Sequence, residues 1–310
     1  MLEVRDLVVE IAGVPILRGV SFALEKGEAM GLVGESGCGK SMLGLALMAM
    51  LPPGGRITSG TILLEGKPVE KLSPKDMLSL RGSELAMVMQ DPFTSLNPVM
   101  RIGDQIAESF VLHQDMTWRE ARLEAVKMLD HVGIPAPEES ARKFPHEMSG
   151  GQRQRVVIAI AFSCRPKVLI ADEPTTALDV TLQAQILHLL RGLQREQETA
   201  VLLISHNIGV IAAACEKAAV VYAGQFVETG ATESILRSPQ HPYTQALLAA
   251  MPRESNERLK ALGGSPPDFA RLTTECAFAP RCHHRFEKCQ ATPPLIGEKH
   301  GVRCWLLSEK

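Results

Sequence analysis

The stretch Gly34-Glu35-Ser36-Gly37-Cys38-Gly39-Lys40-Ser41 constrains this chain more than any other. It has the form G-x-x-x-x-G-K-[ST], and its flanks suit that form. Glu28–Val33 predicts a short buried strand ahead of it, and Ser41–Met48 predicts a helix behind it. Strand, loop and helix in that order are the context the motif requires. Its glycines let the backbone curl so that successive N–H groups converge on phosphate oxygens. The helix N-terminus adds a partial positive charge. Lys40 is expected to reach the β- and γ-phosphates and the Ser41 hydroxyl to ligand Mg²⁺. Gly34 to Met42 is therefore the candidate nucleotide-binding segment. A glycine-rich turn with a coincidental Lys-Ser pair is the weaker reading, because of these flanks.

A second anion site is predicted at Met148-Ser149-Gly150-Gly151-Gln152-Arg153-Gln154-Arg155, which leads into an apolar helix over Val156–Cys164. Exposed N–H groups, a hydroxyl and the helix dipole meet there. Beyond Pro166, the run Lys167-Val168-Leu169-Ile170-Ala171-Asp172-Glu173 predicts a buried parallel-type strand ending in adjacent carboxylates. Side chains alternate along a strand, so the two acids point different ways and suit different tasks. Asp172 suits Mg²⁺, directly or through water, and Glu173 suits orienting or deprotonating the attacking water. Another buried strand, Ala200–Ile204, ends in Ser205-His206. A lone His is more often structural, but open α/β sheets place ligand groups at the carboxyl ends of strands. That favours a γ-phosphate contact for His206.

Around these motifs the chain alternates strands and helices. Apolar alternation in residues 2–25 predicts antiparallel strands with a turn near Gly13, and Thr61–Lys67 predicts a further strand and turn. Ser73-Pro74-Lys75-Asp76 has the form of a helix start. Leu85–Met89 predicts a buried strand that ends at Gln90 and is broken by Asp91-Pro92. Residues from about 102 to 145 read as helices, with a capping box at Thr117-Trp118-Arg119-Glu120 ahead of a helix to about Val132. This helical insert, about 102–165 in full, predicts a subdomain. A formal net charge of −2 and the lack of a Lys/Arg run argue against a nucleic-acid partner. The longest apolar runs, Met42–Leu51 and Val156–Phe162, are too short to span a bilayer. The opening residues lack the form of a signal peptide, so the expected location is cytoplasmic, with a membrane partner left open.

Taken in order, the phosphate loop, Gln90, Ser149-Gly150-Gly151-Gln152, Asp172-Glu173, Ala177-Leu178-Asp179 and His206 resemble an ABC-type ATPase over residues 1 to about 235. The resemblance implies an α/β P-loop NTPase of ABC type: a mixed sheet core, an antiparallel β subdomain and a helical subdomain. It implies ATP and Mg²⁺ as ligands and a head-to-tail pair of ATPase domains closing on two nucleotides. Each ATP would lie between one chain's phosphate loop and the Ser149–Gln152 signature of the other. Gln90 would join Ser41 and Asp172 around Mg²⁺ and sense the membrane subunit. Glu173 would be the catalytic base, His206 would contact the γ-phosphate, and Asp179 would communicate across the pair. Three departures stand out. Glu10-Ile11-Ala12-Gly13-Val14 lacks the usual adenine-stacking aromatic, Met148 replaces a Leu, and Asn207 stands where an Asp often follows the His.

The last part narrows the resemblance. Gln90-Asp91-Pro92-Phe93-Thr94-Ser95-Leu96-Asn97-Pro98, Ser238–Leu248, Gly263-Gly264-Ser265-Pro266-Pro267 and the cysteines from Cys276 onward resemble ATPase subunits of oligopeptide, dipeptide and nickel importers. That implies a translocase motor at the cytoplasmic face of a bacterial inner membrane. It would work with a second ATPase chain, expected to be a paralogue, two permease subunits and, indirectly, a solute-binding protein. Peptide is the leading cargo, with nickel or another small solute as the alternative. A soluble ABC ATPase of DNA repair or translation fits less well, since this chain has one ATPase unit and no large coiled-coil insertion. Residues 236–310 read as an irregular extension without a core of its own. Four of the seven cysteines fall there, as Cys276-x5-Cys282-x6-Cys289-x14-Cys304. Such thiolates suit an iron–sulfur cluster or structural zinc, with His283 and His284 as spare ligands, or remain free. Relatives resembling this tail carry a [4Fe–4S] cluster. Cys38, Cys164 and Cys215 are isolated, and their expected role is packing.

Overall fold

The computed structural model describes residues 1–176, 178–250 and 263–308. Its strands are β1 (Leu2–Ile11), β2 (Val14–Leu24), β3 (Ala29–Val33), β4 (Gly55–Leu64), β5 (Lys67–Pro68), β6 (Leu85–Val88), β7 (Val168–Asp172), β8 (Ala200–Ser205), β9 (Lys217–Tyr222), β10 (Gln225–Ala231) and β11 (His300–Val302). The chain divides into two compact units, Met1–Ala23 with Ala29–Glu70 and Ser205–Lys310, and Leu24–Glu28 with Lys71–Ile204.

In the first unit, β2-β1-β4-β5 form a sheet, and β11-β10-β9-β3 lie side by side in another. Leu2, Val4, Leu7 and Val9 of β1 are buried, as the alternating pattern predicts for a strand with one covered face. The turn near Gly13 is present as Ala12-Gly13, both at positive φ. β4 begins at Gly55, six residues before the predicted Thr61, and pairs with β1 from Ile11↔Gly55 to Leu2↔Leu64. Arg56 to Gly60 carry no apolar alternation, so that half of the strand exists because β1 offers it a ladder. β3 runs parallel to β9, and β9 returns antiparallel into β10 through Ala223-Gly224.

In the second unit β6, β7 and β8 are parallel neighbours, with Leu85↔Val168 and Val168↔Ala200 in register. β7 and β8 are buried along their whole length, which is why their sequences are continuous apolar runs. β6 stops at Val88, one residue short of the predicted end. The helical stretch is Ile102–His113, Trp118–His131, a single turn Pro137–Ser140, and Gly150–Phe162. Both halves of the Thr117–Glu120 capping box are made, and Val132 is the C-cap residue. Ser73 caps the helix Pro74–Leu80 by accepting from Asp76 N–H, with Pro74 in the first turn as expected.

The tail packs on elements that precede it. His300–Val302 adds an antiparallel strand to β10, pairing Glu228↔Val302 and Gly230↔His300. Phe278 is 3% exposed and meets the rings of Tyr222, Tyr243 and His241. Neither contact has a local sequence signal.

Candidate nucleotide-binding site

β3 delivers the chain into the phosphate loop, and the helix Lys40–Leu47 leaves it. Gly39 precedes that helix at φ 107°, a conformation that side chains with a Cβ rarely adopt. A Cβ on Gly34 would stand 2.3 Å from the Val221 carbonyl oxygen, so the loop enters where only glycine fits. The loop is braced by Gly224 N–H donating to Cys38 O at 2.8 Å. Lys40 is 5% exposed, and its ammonium donates to Gly34 O at 2.8 Å and Glu35 O at 2.9 Å. The cation is thus held over the loop's own carbonyls, at the place where phosphate oxygens would compete for it. The isolated cysteines pack as expected in two cases, Cys38 and Cys215 being buried, while Cys164 is partly exposed. Burial pushes the Cys38 thiol up despite Lys40 beside it, so this thiol is a poor nucleophile.

His206 follows β8 and is exposed. The next residue, Asn207, caps the helix Ile208–Ala214 by accepting Gly209 N–H at 2.9 Å. An Asp caps equally well, so the Asp-to-Asn departure leaves the helix start intact.

In the second unit, Asp172 is the last residue of β7 and 6% exposed. Glu173 turns out of the strand at φ 48°, its N–H bonded to Ile204 O at 2.9 Å. Its carboxylate accepts from the Thr176 hydroxyl at 2.6 Å and from Gln90 Nε2 at 3.4 Å. Gln90 and Glu173, 83 residues apart, are therefore neighbours. The role of Thr176 was not legible from the motif. Ser149 caps the helix Gly150–Phe162: its Oγ accepts Gln152 N–H at 3.3 Å while Gln152 Oε1 accepts Ser149 N–H at 3.0 Å. Gly150 and Gly151 follow as the first helical residues, so their N–H groups lie at the positive end of the helix dipole. Met148, in the place of a Leu, is buried. Asp179 caps the helix Val180–Gln197 through Leu182 N–H. Ala177, between Glu173 and Asp179, lies outside the described residues.

Cys276, Cys282, Cys289 and Cys304 line one pocket with Phe278, Ala279, Pro293 and Trp305. Burial raises the thiols of Cys276, Cys282 and Cys304, and the charge of Cys289 raises each further. Among the described residues, however, no three His, Cys, Asp or Glu side chains are placed to hold a single metal ion.

A glycine-lined phosphate loop between a parallel strand and a helix defines a P-loop nucleotide-binding protein. The family described as "ABC transporter" matches residues 17–176, and that described as "Oligopeptide/dipeptide transporter, C-terminal region" matches residues 227–289. The chain is 45% identical to the dipeptide transport ATP-binding protein DppD of Bacillus subtilis, covering 96% of this chain and 90% of that one. It is 46% identical to the oligopeptide transport ATP-binding protein OppD of Salmonella typhimurium, covering 95% and 90%. Among solved structures it resembles the dimeric post-hydrolysis state of the ATP-binding cassette MJ0796 bound to ADP and phosphate. The TM-score there is 0.66 at 25% identity, over 75% of this chain and 99% of that one. The chain belongs to the ABC transporter ATPases, and within them to the group with the oligopeptide/dipeptide transporter C-terminal region. Its fold is the ABC ATPase cassette.

Proposed function

We propose that this chain is the ATP-hydrolysing motor subunit of an importer for di- or oligopeptides. The observation that carries this reading is similarity to peptide-transport ATP-binding proteins along nearly the whole chain, the C-terminal region included. In this reading Gly34–Met42 binds ATP, and Ser41, Gln90 and Asp172 hold Mg²⁺. Glu173 activates water and His206 contacts the γ-phosphate. Ser149–Gln152 completes the partner's site, and Asp179 links the pair. The Gln90–Glu173 contact supports a shared task for those two side chains. The exposed Ser149 ahead of the helix Gly150–Phe162 supports an anion supplied from outside the chain.

The partners in this proposal are a paralogous ATPase chain and two permease subunits fed by a solute-binding protein, at the cytoplasmic face of the inner membrane. No described helix is long and apolar enough to cross a membrane. Residues 1–235 would be the ATPase domain and 236–310 the extension. For the extension we favour a [4Fe–4S] cluster on Cys276, Cys282, Cys289 and Cys304. Four cysteines lining one largely apolar pocket are the donor set that such a cluster takes. Bound there, a cluster would cross-link the irregular tail.

The test is reconstitution of the full chain with its permease and ATPase partners in proteoliposomes. Peptide-stimulated ATP hydrolysis with peptide uptake is the expected result. Stimulation by nickel alone would move the cargo to metal. ATPase activity stimulated by nucleic acid without a membrane complex would remove the transport reading.

A further inference from the structure

We infer that Arg281 is a positioning residue for nucleotide binding, tying the cysteine-bearing segment to Glu35 of the phosphate loop. The inference rests on the nucleotide reading of that loop. Arg281 Nη1 donates to Glu35 Oε2 at 2.6 Å and Nη2 to Oε1 at 3.0 Å, a two-pronged pair spanning 246 residues of sequence. The Arg281 side chain is 5% exposed and that of Glu35 is 25% exposed, so the pair is shielded from water on the arginine side. Arg281 Nε also donates to Gly263 O at 2.8 Å, and its guanidinium lies 5.8 Å from the centre of the Tyr222 ring.

Glu35 is held at three points. Its carboxylate sits in the Arg281 fork, its carbonyl accepts from Lys40 at 2.9 Å, and its N–H donates to the Tyr243 hydroxyl at 2.9 Å. Between Gly34 and Ser41, Glu35 is the single acidic residue and Lys40 the single basic one. Left alone, that carboxylate would repel incoming phosphates and compete with them for the Lys40 ammonium. A guanidinium stays charged at every relevant pH and matches a carboxylate prong for prong, so it cancels the charge and fixes the side chain. Arg281 is itself placed by the tail: Phe278, three residues earlier, is wedged among Tyr222, Tyr243 and His241. The turn from Cys276 to Cys282 thereby reaches the phosphate loop, and the order of that turn sets how well the loop takes a nucleotide.

The experiment compares full-length wild type with R281Q, R281K, E35Q and the E35Q/R281Q double variant. It measures MgATP affinity by titration, KM and kcat for hydrolysis, and thermal unfolding in parallel. R281Q should weaken MgATP binding about tenfold, with the rise in KM exceeding any change in kcat. R281K should fall between R281Q and wild type. The double variant should bind no more weakly than R281Q, because the two side chains act as one contact. R281Q binding like wild type, or a double variant markedly weaker than R281Q, overturns the inference. If R281Q does not fold, R281K decides: it keeps the charge and loses the two-pronged fork, and binding like wild type overturns the inference. A wild-type chain that does not bind MgATP overturns the functional reading instead.

Discussion

Glu173 and Thr176 are joined by a 2.6 Å hydrogen bond in which the Thr176 hydroxyl donates to the Glu173 carboxylate. The bond orients one carboxylate oxygen of a residue already held at φ 48°. Glu173→Gln should lower ATP hydrolysis by about 100-fold or more, the span expected for loss of a general base, and keep ATP affinity. The stalled protein should accumulate as a closed pair, visible by size-exclusion chromatography with ATP. Thr176→Val should lower kcat by a smaller factor, about tenfold, with KM little changed. Unchanged hydrolysis in Glu173→Gln would remove that residue from the role of base.

Ser149 separates a capping role from a binding role. Ser149→Ala loses a cap and should cost about 1 kcal/mol in a denaturant titration. Ser149→Asp caps the same N–H and should hold stability. It also places a negative charge where a second chain's phosphates are expected. ATP-driven pairing should therefore fail in both variants, while only the alanine variant is destabilised.

Gly34 has no room for a methyl group, since a Cβ would fall 2.3 Å from Val221 O and 2.9 Å from Cys38 Sγ. Gly34→Ala should cost about 2–3 kcal/mol through displaced backbone, and nucleotide binding should fall with it. Lys40→Met gives the contrasting pattern. Its ammonium has only loop carbonyls and the Cys38 sulfur among its resolved partners, so ATP affinity should drop sharply with little change in melting temperature.

Anaerobic purification tests the tail. About four irons per chain and a visible absorption band are expected of a cubane on four cysteines. Cys289→Ser, at the buried member of the set, should lose both signals. One zinc per chain, or no metal, would set the cluster aside and leave the ATPase reading standing.

Much of this molecule is legible residue by residue. The loop from Gly34 to Ser41, the caps at Ser73, Thr117 and Ser149, and the buried runs of β7 and β8 each depend on a few contiguous side chains. The same holds for the acidic pair at the end of β7. Asn207, where an Asp often stands, caps the helix Ile208–Ala214 through Gly209 N–H. The early half of β4 and the strand His300–Val302 left no pattern, because a neighbouring strand supplies the reason for their extension.

The sequence by itself determined the class of protein and the position of its phosphate loop, since backbone curl, capping and periodicity are short-range properties. Only the tertiary structure decided that Thr176 and Gln90 meet at Glu173, and that Arg281 closes on Glu35 from 246 residues away. Those contacts join groups whose spacing along the chain carries no information about their distance. They exist because apolar burial elsewhere, at Phe278, Tyr243 and the strands of the core, fixes where each polar group must end up.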